Sequence, residues 1–260
     1  MSASASASLI PELEDVIQHG SYARRAETVR RIANLYIDGA PSFNEDHIGL
    51  FDDVLCRLVT EIETKARAEM SRMLSPVANA PGELMRQLAN DDDIAVAGPV
   101  IARSLRLAET DLVNIAQTKG QAHLFAISGR DSIGEAVTDV LVRRGDPEVV
   151  RNVADNKSAK LSDQGFTALV KRAEEDGVLA EKVGMRPDIP PRLFRELLVR
   201  ATGGAAAAAR CREAGNPGRS AARARQGFAR ISAAHPRLHR SAAHGARHAP
   251  GRKTRRGGAR

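Results

Sequence analysis

The chain is predicted to be all-α, a right-handed stack of short antiparallel helix pairs (an α-solenoid) followed by a disordered basic C-terminal tail. Three observations predict it. Apolar residues recur at helical spacing almost everywhere and alternate as in a strand almost nowhere. With no Trp, two Tyr and six Phe, the core must be built from Leu, Val, Ile and Ala, which favours helix-on-helix packing over an aromatic-rich sheet. The apolar segments run for about 8 to 16 residues, short for a bundle and ordinary for a solenoid.

In chain order, residues 1–8 form a Ser/Ala stretch expected to be disordered, 9–75 a helical N-terminal region, 81–202 a repeat region and 203–260 the tail. Helix starts are signalled at Ser21, Ser42 with Glu45 three residues on, Pro81, Asp93, Thr110, Ser162 and Asp188. The clearest element is SIGEAVTDVLVRRG. Ile133, Ala136, Val137, Val140 and Leu141 fall at i, i+3, i+4, i+7 and i+8, and Ser132 with Glu135 matches a capping box. Gly145 stops this helix, and Asp146, Pro147 and Glu148 are placed as N-cap, N1 and N2 of the next, which carries Val149, Val150 and Val153. Asp93, Asp146 and Asp188 each precede an apolar helix. Their separations of 53 and 42 residues suggest a loose period near the roughly 40 to 47 of HEAT-type repeats.

Charge divides the chain. Residues 203–260 hold 14 Lys+Arg and one acid, a net +13, so the first 202 residues carry −6 of the total of +7. The N-terminus lacks the basic and apolar regions of a leader, and no run reaches the roughly 18 apolar residues of a membrane span, so the expected address is the cytoplasm without membrane attachment. Cys56 and Cys211 form no close pair, as reduced thiols of a cytoplasmic protein would.

His235, His239, His244 and His248 have helical spacings that could align imidazoles for a transition metal, but four histidines amid Gly and Pro without Cys or carboxylate read as incidental. His19, His47 and His123 are isolated and read as surface or hydrogen-bonded core residues. The run Asp91, Asp92, Asp93 lacks the ligand pattern of a calcium loop and reads as a helix end followed by an N-cap. EEDG at 174–177 reads as a solvated helix end stopped by Gly177. Cys56 lies beside the stripe Leu55, Leu58, Val59, Ile62 and reads as a half-buried structural thiol. Ser128 to Asp131 resembles an anion-binding turn but reads more simply as an inter-helix joint. No catalytic, cofactor-binding or metal-binding residue is assigned, and no small-molecule substrate is indicated.

The runs LMRQLANDDDIAVAGPVIARSLRLAETDLVNIA and HLFAISGRDSIGEAVTDVLVRRGDPEVVRNVADNKSAKLSDQGFTALVKRAEEDGVLAEKVGMRPDIPPRLFRELL resemble the uncharacterised bacterial family DUF2336. The resemblance covers roughly residues 21–202, is most specific around Asp93 and Asp146, and excludes the tail. It implies a HEAT-like helical repeat fold and a cytoplasmic bacterial setting, and it carries no catalytic residue.

Three readings compete for the tail: a nucleic-acid-binding arm acting by phosphate neutralisation, an inert solvated end, and the shifted-frame product of a G+C-rich coding sequence. Arg outnumbers Lys 13 to 1, the helical periodicity ends abruptly after LFRELLVRAT, and Phe228 is the tail's one aromatic ring, where single-strand binders interleave several. These details favour the shifted frame. Leu193, Phe194, Leu197 and Leu198 would then lack the neighbour that a longer array supplies.

The function expected is a non-enzymatic scaffold for protein–protein interaction, because an acidic repeat body suits protein or basic-peptide partners. The alternative is a helical-repeat DNA-binding or DNA-repair protein that uses the basic tail as an arm, with nucleic acid otherwise bound only non-specifically through that tail. An alternative frame of the gene downstream of codon 202 is expected to encode amphipathic helices with Leu, Val and acids at helical spacing. Three-frame translation checks this, and early stops in both other frames would leave the tail as native sequence.

Overall fold

The computed structural model describes residue 16 and residues 19–200. The Ser/Ala stretch 1–8, the tail 203–260 with its four histidines, and Cys211 lie outside the described residues. Within them the helices are α1 Tyr22–Gly39, α2 Glu45–Thr60, α3 Thr64–Leu74, α4 Gly82–Ala89, α5 Ile94–Arg103, α6 Glu109–Thr118, α7 Gln121–Ser128, α8 Glu135–Arg144, α9 Pro147–Asp155, α10 Asp163–Arg172 and α11 Gly177–Gly184. Residues 191–200 are also helical and are termed α12. The chain divides into two compact units between Ser162 and Asp163. Among the described residues the β-structure is an isolated parallel bridge between Ile133 and Ala159.

Local chemistry explains where the helices begin. Ser21, Asp93 and Asp146 cap α1, α5 and α9 by accepting the main-chain N–H of Arg24, Ala95 and Val149, and Pro147 occupies the position where no N–H is needed. Elsewhere the start signals shift. Ser42 ends a short 3-10 turn and donates its hydroxyl to the Gly39 carbonyl at 2.9 Å, so α2 is capped by Asn44, which accepts from His47 N–H. His47 Nδ1 accepts the Asn44 N–H in return, closing a reciprocal box that the sequence had placed on Ser42 and Glu45. Ser132 caps nothing: α8 starts after Gly134, because Ile133 is held in the bridge by Lys160 N–H donating to its carbonyl at 2.9 Å. Thr110 lies one residue inside α6, whose approach is fixed by Asp111 accepting the Ala108 N–H at 3.0 Å. Ser162 immediately precedes α10 and donates to Asp139 at 2.7 Å. Asp188 is no N-cap, since both its carboxylate oxygens take the guanidinium of Arg186 at 2.9 and 2.7 Å.

Unit 1 is built as two layers. Joints of a few residues make the chain double back, so alternate helices run the same way. α1, α3, α5, α7 and α9 each pack on the next of that series, while α2 packs on α4 and α6 on α8. The layers meet through contacts such as α4 with α5, α6 with α7 and α8 with α9. Each helix contributes apolar neighbours one turn apart: Leu84, Met85, Leu88 and Ala89 on α4, Val96, Ala97, Val100 and Ile101 on α5, and Val149, Val150, Val153 and Ala154 on α9 are all buried. In α8 the buried side is Val137, Val140, Leu141 and Val142; Ala136 is exposed, because the helix begins two residues after Ile133 and its face is turned accordingly. The first helices of successive pairs start at 82, 109, 135 and 163, and the second helices at 94, 121 and 147. The step is therefore 26 to 28 residues, and the expected period near 40 to 47 is corrected. Asp93 and Asp146 lie two steps apart, and the intervening cap position is Gly120, which has no side chain to serve it.

Unit 2 joins α10 to α11. Arg186 is buried to 1 % exposure and sits 5.7 Å from the centre of the Phe166 ring while Asp188 holds its guanidinium. Leu193, Phe194, Leu197 and Leu198 of α12 are buried, and Arg200 is ion-paired with Glu174 and Glu196.

Gly145 ends α8 with a negative φ of −65°, so its role is close approach rather than a left-handed turn. A Cβ there would stand 2.5 Å from the Leu141 carbonyl oxygen and 2.7 Å from Val149 Cγ1, and Gly145→Ala is expected to cost about 1 to 3 kcal/mol. Leu141→Ala should cost about 2 to 5 kcal/mol through its cavity, whereas Arg143→Ala should stay within about 0.5 kcal/mol. Denaturant melts of the three variants test this, and a Leu141→Ala no worse than Arg143→Ala would show that the α8–α9 interface is not core.

Candidate functional site

The residues singled out by chemistry become, one after another, parts of the joints between helices. The three consecutive carboxylates separate. Asp91 pairs with Arg67 at 2.8 Å and accepts the Asp93 N–H, Asp92 pairs with Lys119 at 2.5 Å, and Asp93 caps α5. Lys119 beside Asp92 holds its carboxyl below the usual carboxylate range. His123 is buried, and its Nε2 lies 2.9 Å from the Asp91 carbonyl oxygen, tying α7 to the α4–α5 joint. These groups serve neighbouring chain segments rather than a common centre. Among the described residues no group of three or more His, Cys, Asp or Glu converges as a metal-ion site.

Ser128 to Asp131 is a joint whose donors and acceptors face the protein. Asn152 donates to Ser128 Oγ at 2.8 Å, and the Asn156 amide donates to the carbonyls of Ser128 and Arg130 at 3.0 and 2.8 Å. The Arg130 guanidinium donates to the carbonyls of Ile101 and Ser104 at the end of α5. Burial lowers its pKa from the usual arginine value. The joint between α8 and α9 is held by Gln121, which donates to the Arg144 carbonyl at 3.0 Å and accepts the Asp146 N–H at 2.9 Å. Sequence reading passed over Gln121, because its partners are 23 and 25 residues away.

Cys56 is half-buried on α2 and donates to Asp52 Oδ1 at 3.5 Å. The same carboxylate accepts the N–H groups of Glu83 and Leu84 at 2.9 and 2.8 Å and thereby caps α4, whose own N-cap position is Pro81. Asp52 also escaped the sequence reading, since a cap supplied by another helix leaves no local signature. Burial first, then the neighbouring Asp52 charge and hydrogen bond, push the Cys56 thiol up to about 12.

The surface depressions form a pattern. One of about 420 Å³ lies between α6 and α8, lined by Glu109, Thr110, Val113, Asn114, Gln117 and Ala136. In unit 2 a second of about 380 Å³ lies between α10 and α12, lined by Asp163, Gln164, Thr167, Ala168, Lys171 and Arg192. The two linings occupy the same helical positions: first, second, fifth, sixth and ninth of one first helix, and second of the next. No helix among the described residues is long and apolar enough to cross a membrane.

Short helices packed in pairs, with joints closed by hydrogen bonds from neighbouring helices, define an all-helical protein. The chain belongs to the family described as uncharacterised protein conserved in bacteria (DUF2336), whose model matches residues 96–258. The match begins well after Ser21 and runs past Thr202, so the expected exclusion of the tail is corrected; apolar periodicity, on which that boundary rested, is only one of the preferences that a family shares. Neither curated proteins nor solved structures provide a match.

In a Cys211→Ser background, Cys56 is expected to react with iodoacetamide at pH 8 more slowly than a free thiol by at least about tenfold, because its thiolate is scarce below the raised value. The rate should rise to the free-thiol value in denaturant. Rapid alkylation of the folded chain at pH 8 would rule out the half-buried, Asp52-bonded thiol.

Proposed function

We propose that the protein is a non-enzymatic HEAT-like α-solenoid that acts as a cytoplasmic scaffold, binding a protein partner along the outer face of its first-helix layer. The observation that carries this reading is that one shallow groove occurs at equivalent helical positions twice, between α6 and α8 of unit 1 and between α10 and α12 of unit 2. Repeated units that present a repeated groove suit an extended partner that contacts several units. Thr110, Asn114 and Gln117 offer hydroxyl and amide groups that match peptide N–H and C=O. Glu109 and the net −6 of residues 1–202 favour a basic partner segment.

The nucleic-acid reading draws less support from the body. Arg25, Arg67, Arg130 and Arg144 direct guanidinium N–H donors at main-chain carbonyls rather than at an open groove, and with −6 on residues 1–202 against +13 on residues 203–260 the tail is the stronger source of phosphate affinity.

A photo-crosslinking residue placed at Val113, or at the equivalent Thr167, is expected to capture a discrete protein species in cells producing the full chain. The same residue at Arg31, on the outer side of α1, should not. An identical pattern from all three positions, or none from Val113 and Thr167, would defeat the scaffold reading.

A further inference from the structure

The two grooves share their positions and differ in charge. In unit 1 the ninth residue of α6 and the second of α8 are Gln117 and Ala136, and in unit 2 the same two places hold Lys171 of α10 and Arg192 of α12. Each lining begins with an acid, Glu109 or Asp163. The groove of unit 1 therefore has one acid and no base, and that of unit 2 sets two bases against one acid.

Helix electrostatics accounts for one of these cations and not for the other. Lys171 lies in the last turn of α10, where the helix dipole favours a positive charge, but Arg192 lies in the first turn of α12, where the dipole opposes one. The second residues of α2, α4, α6, α8 and α10 are Asp46, Glu83, Thr110, Ala136 and Gln164, so among these first helices α12 alone starts with a cation. Neither Lys171 nor Arg192 has an ion-pair partner among the described residues. Elsewhere in unit 2, Arg186 is held by Asp188, and Arg200 is paired with Glu174 and Glu196. Two unanswered like charges on one groove, one of them at the disfavoured end of its helix, oppose folding, and local conflicts of this kind gather where a ligand resolves them.

We infer that the groove between α10 and α12 takes an acidic side chain of an extended partner segment, its carboxylate bound by Lys171 and Arg192. The planar fork of an arginine matches the two oxygens of a carboxylate, and the lysine adds a second charge from the other helix. The Thr167 hydroxyl donates to the Asp163 carbonyl at 2.7 Å, which leaves its oxygen to accept an N–H of the segment, and Gln164 offers both a donor and an acceptor. The groove of unit 1, with Gln117 and Ala136 in place of the cations, does not select an acid. The inference rests on the scaffold reading and adds the chemistry of one contact: a partner segment that is basic overall carries an acid where it meets unit 2.

Titration of the full chain with the peptide acetyl-Gly-Ala-Glu-Ala-Gly-amide, followed by the main-chain amide NMR signals, tests this. Thr167 and Ala168 should shift saturably while Val113 and Asn114 do not, and the same peptide with Gln in place of Glu should bind about fivefold more weakly. Lys171→Gln and Arg192→Gln should each weaken binding by about threefold, and Arg192→Gln should do so with a thermal midpoint no lower than that of the native chain. Gln117→Lys with Ala136→Arg, both at exposed positions, should make Val113 and Asn114 respond to the Glu peptide. No response at Thr167, equal binding of the Glu and Gln peptides, or unaltered binding in the Lys171 and Arg192 variants would overturn the proposal. Any of these results with crosslinks still captured from Val113 defeats the charge assignment alone, whereas the loss of crosslinks from both Val113 and Thr167 defeats the scaffold reading itself.

Discussion

Short helices impose the constraint on which the rest of this structure depends. A helix of 8 to 10 residues leaves about four N–H and four C=O groups without partners inside it, nearly as many as it satisfies. Here those ends are answered from neighbouring helices as well as locally. Asp52 of α2 caps α4, and Arg130 and Arg144 serve the carboxyl ends of α5 and α6 through the carbonyls of Ile101, Ser104 and Ala116. Arg25 and Arg67 do the same for Glu61 and Ile62 beyond α2. An arginine suits this work because its long stem packs among apolar neighbours while its fork reaches two carbonyls. The arrangement is not perfect, as Nε of Arg25 and of Arg130 is buried without a partner.

The same constraint accounts for the residues that look like chemistry and act as joinery. The run Asp91 to Asp93 concentrates three carboxylates in one turn, yet one pairs with α3, one with Lys119 and one caps α5. His123 joins this junction by its contact with the Asp91 carbonyl oxygen. Cys56 supports the carboxylate that caps α4, and its protonated state follows from burial beside an anion. Each group is bound to structure at a distance its sequence neighbours do not reveal.

With Asp91, Asp92, Asp93, His123, Cys56 and Asp52 engaged at the joints, the outer helix surfaces are what a partner of the proposed scaffold would meet. A shallow groove recurs at equivalent helical positions, between α6 and α8 of unit 1 and between α10 and α12 of unit 2. Membership of the DUF2336 family, described as conserved in bacteria, prescribes no reaction, so the chemistry of these surfaces is the direct route to a role.

Much of the fold was legible in the sequence because helix periodicity and capping are local. The all-helical class, the caps at Ser21, Asp93 and Asp146, the second helix with Val149, Val150 and Val153, and the half-buried position of Cys56 all follow from residues within a few positions of one another. What required tertiary structure was whatever depended on a partner far along the chain. Ser132 loses its capping role because Ile133 pairs with a segment 26 residues away. Asp188 forsakes α12 for Arg186, whose side chain is buried against Phe166. The step of 26 to 28 residues was hidden because one cap in three is Gly120, which leaves a double interval between visible aspartates. Sequence determined which segments would be helices, since that is a matter of propensity and end chemistry; tertiary structure decided how their unsatisfied ends were shared, since a hydrogen bond between helices leaves no mark on the local pattern.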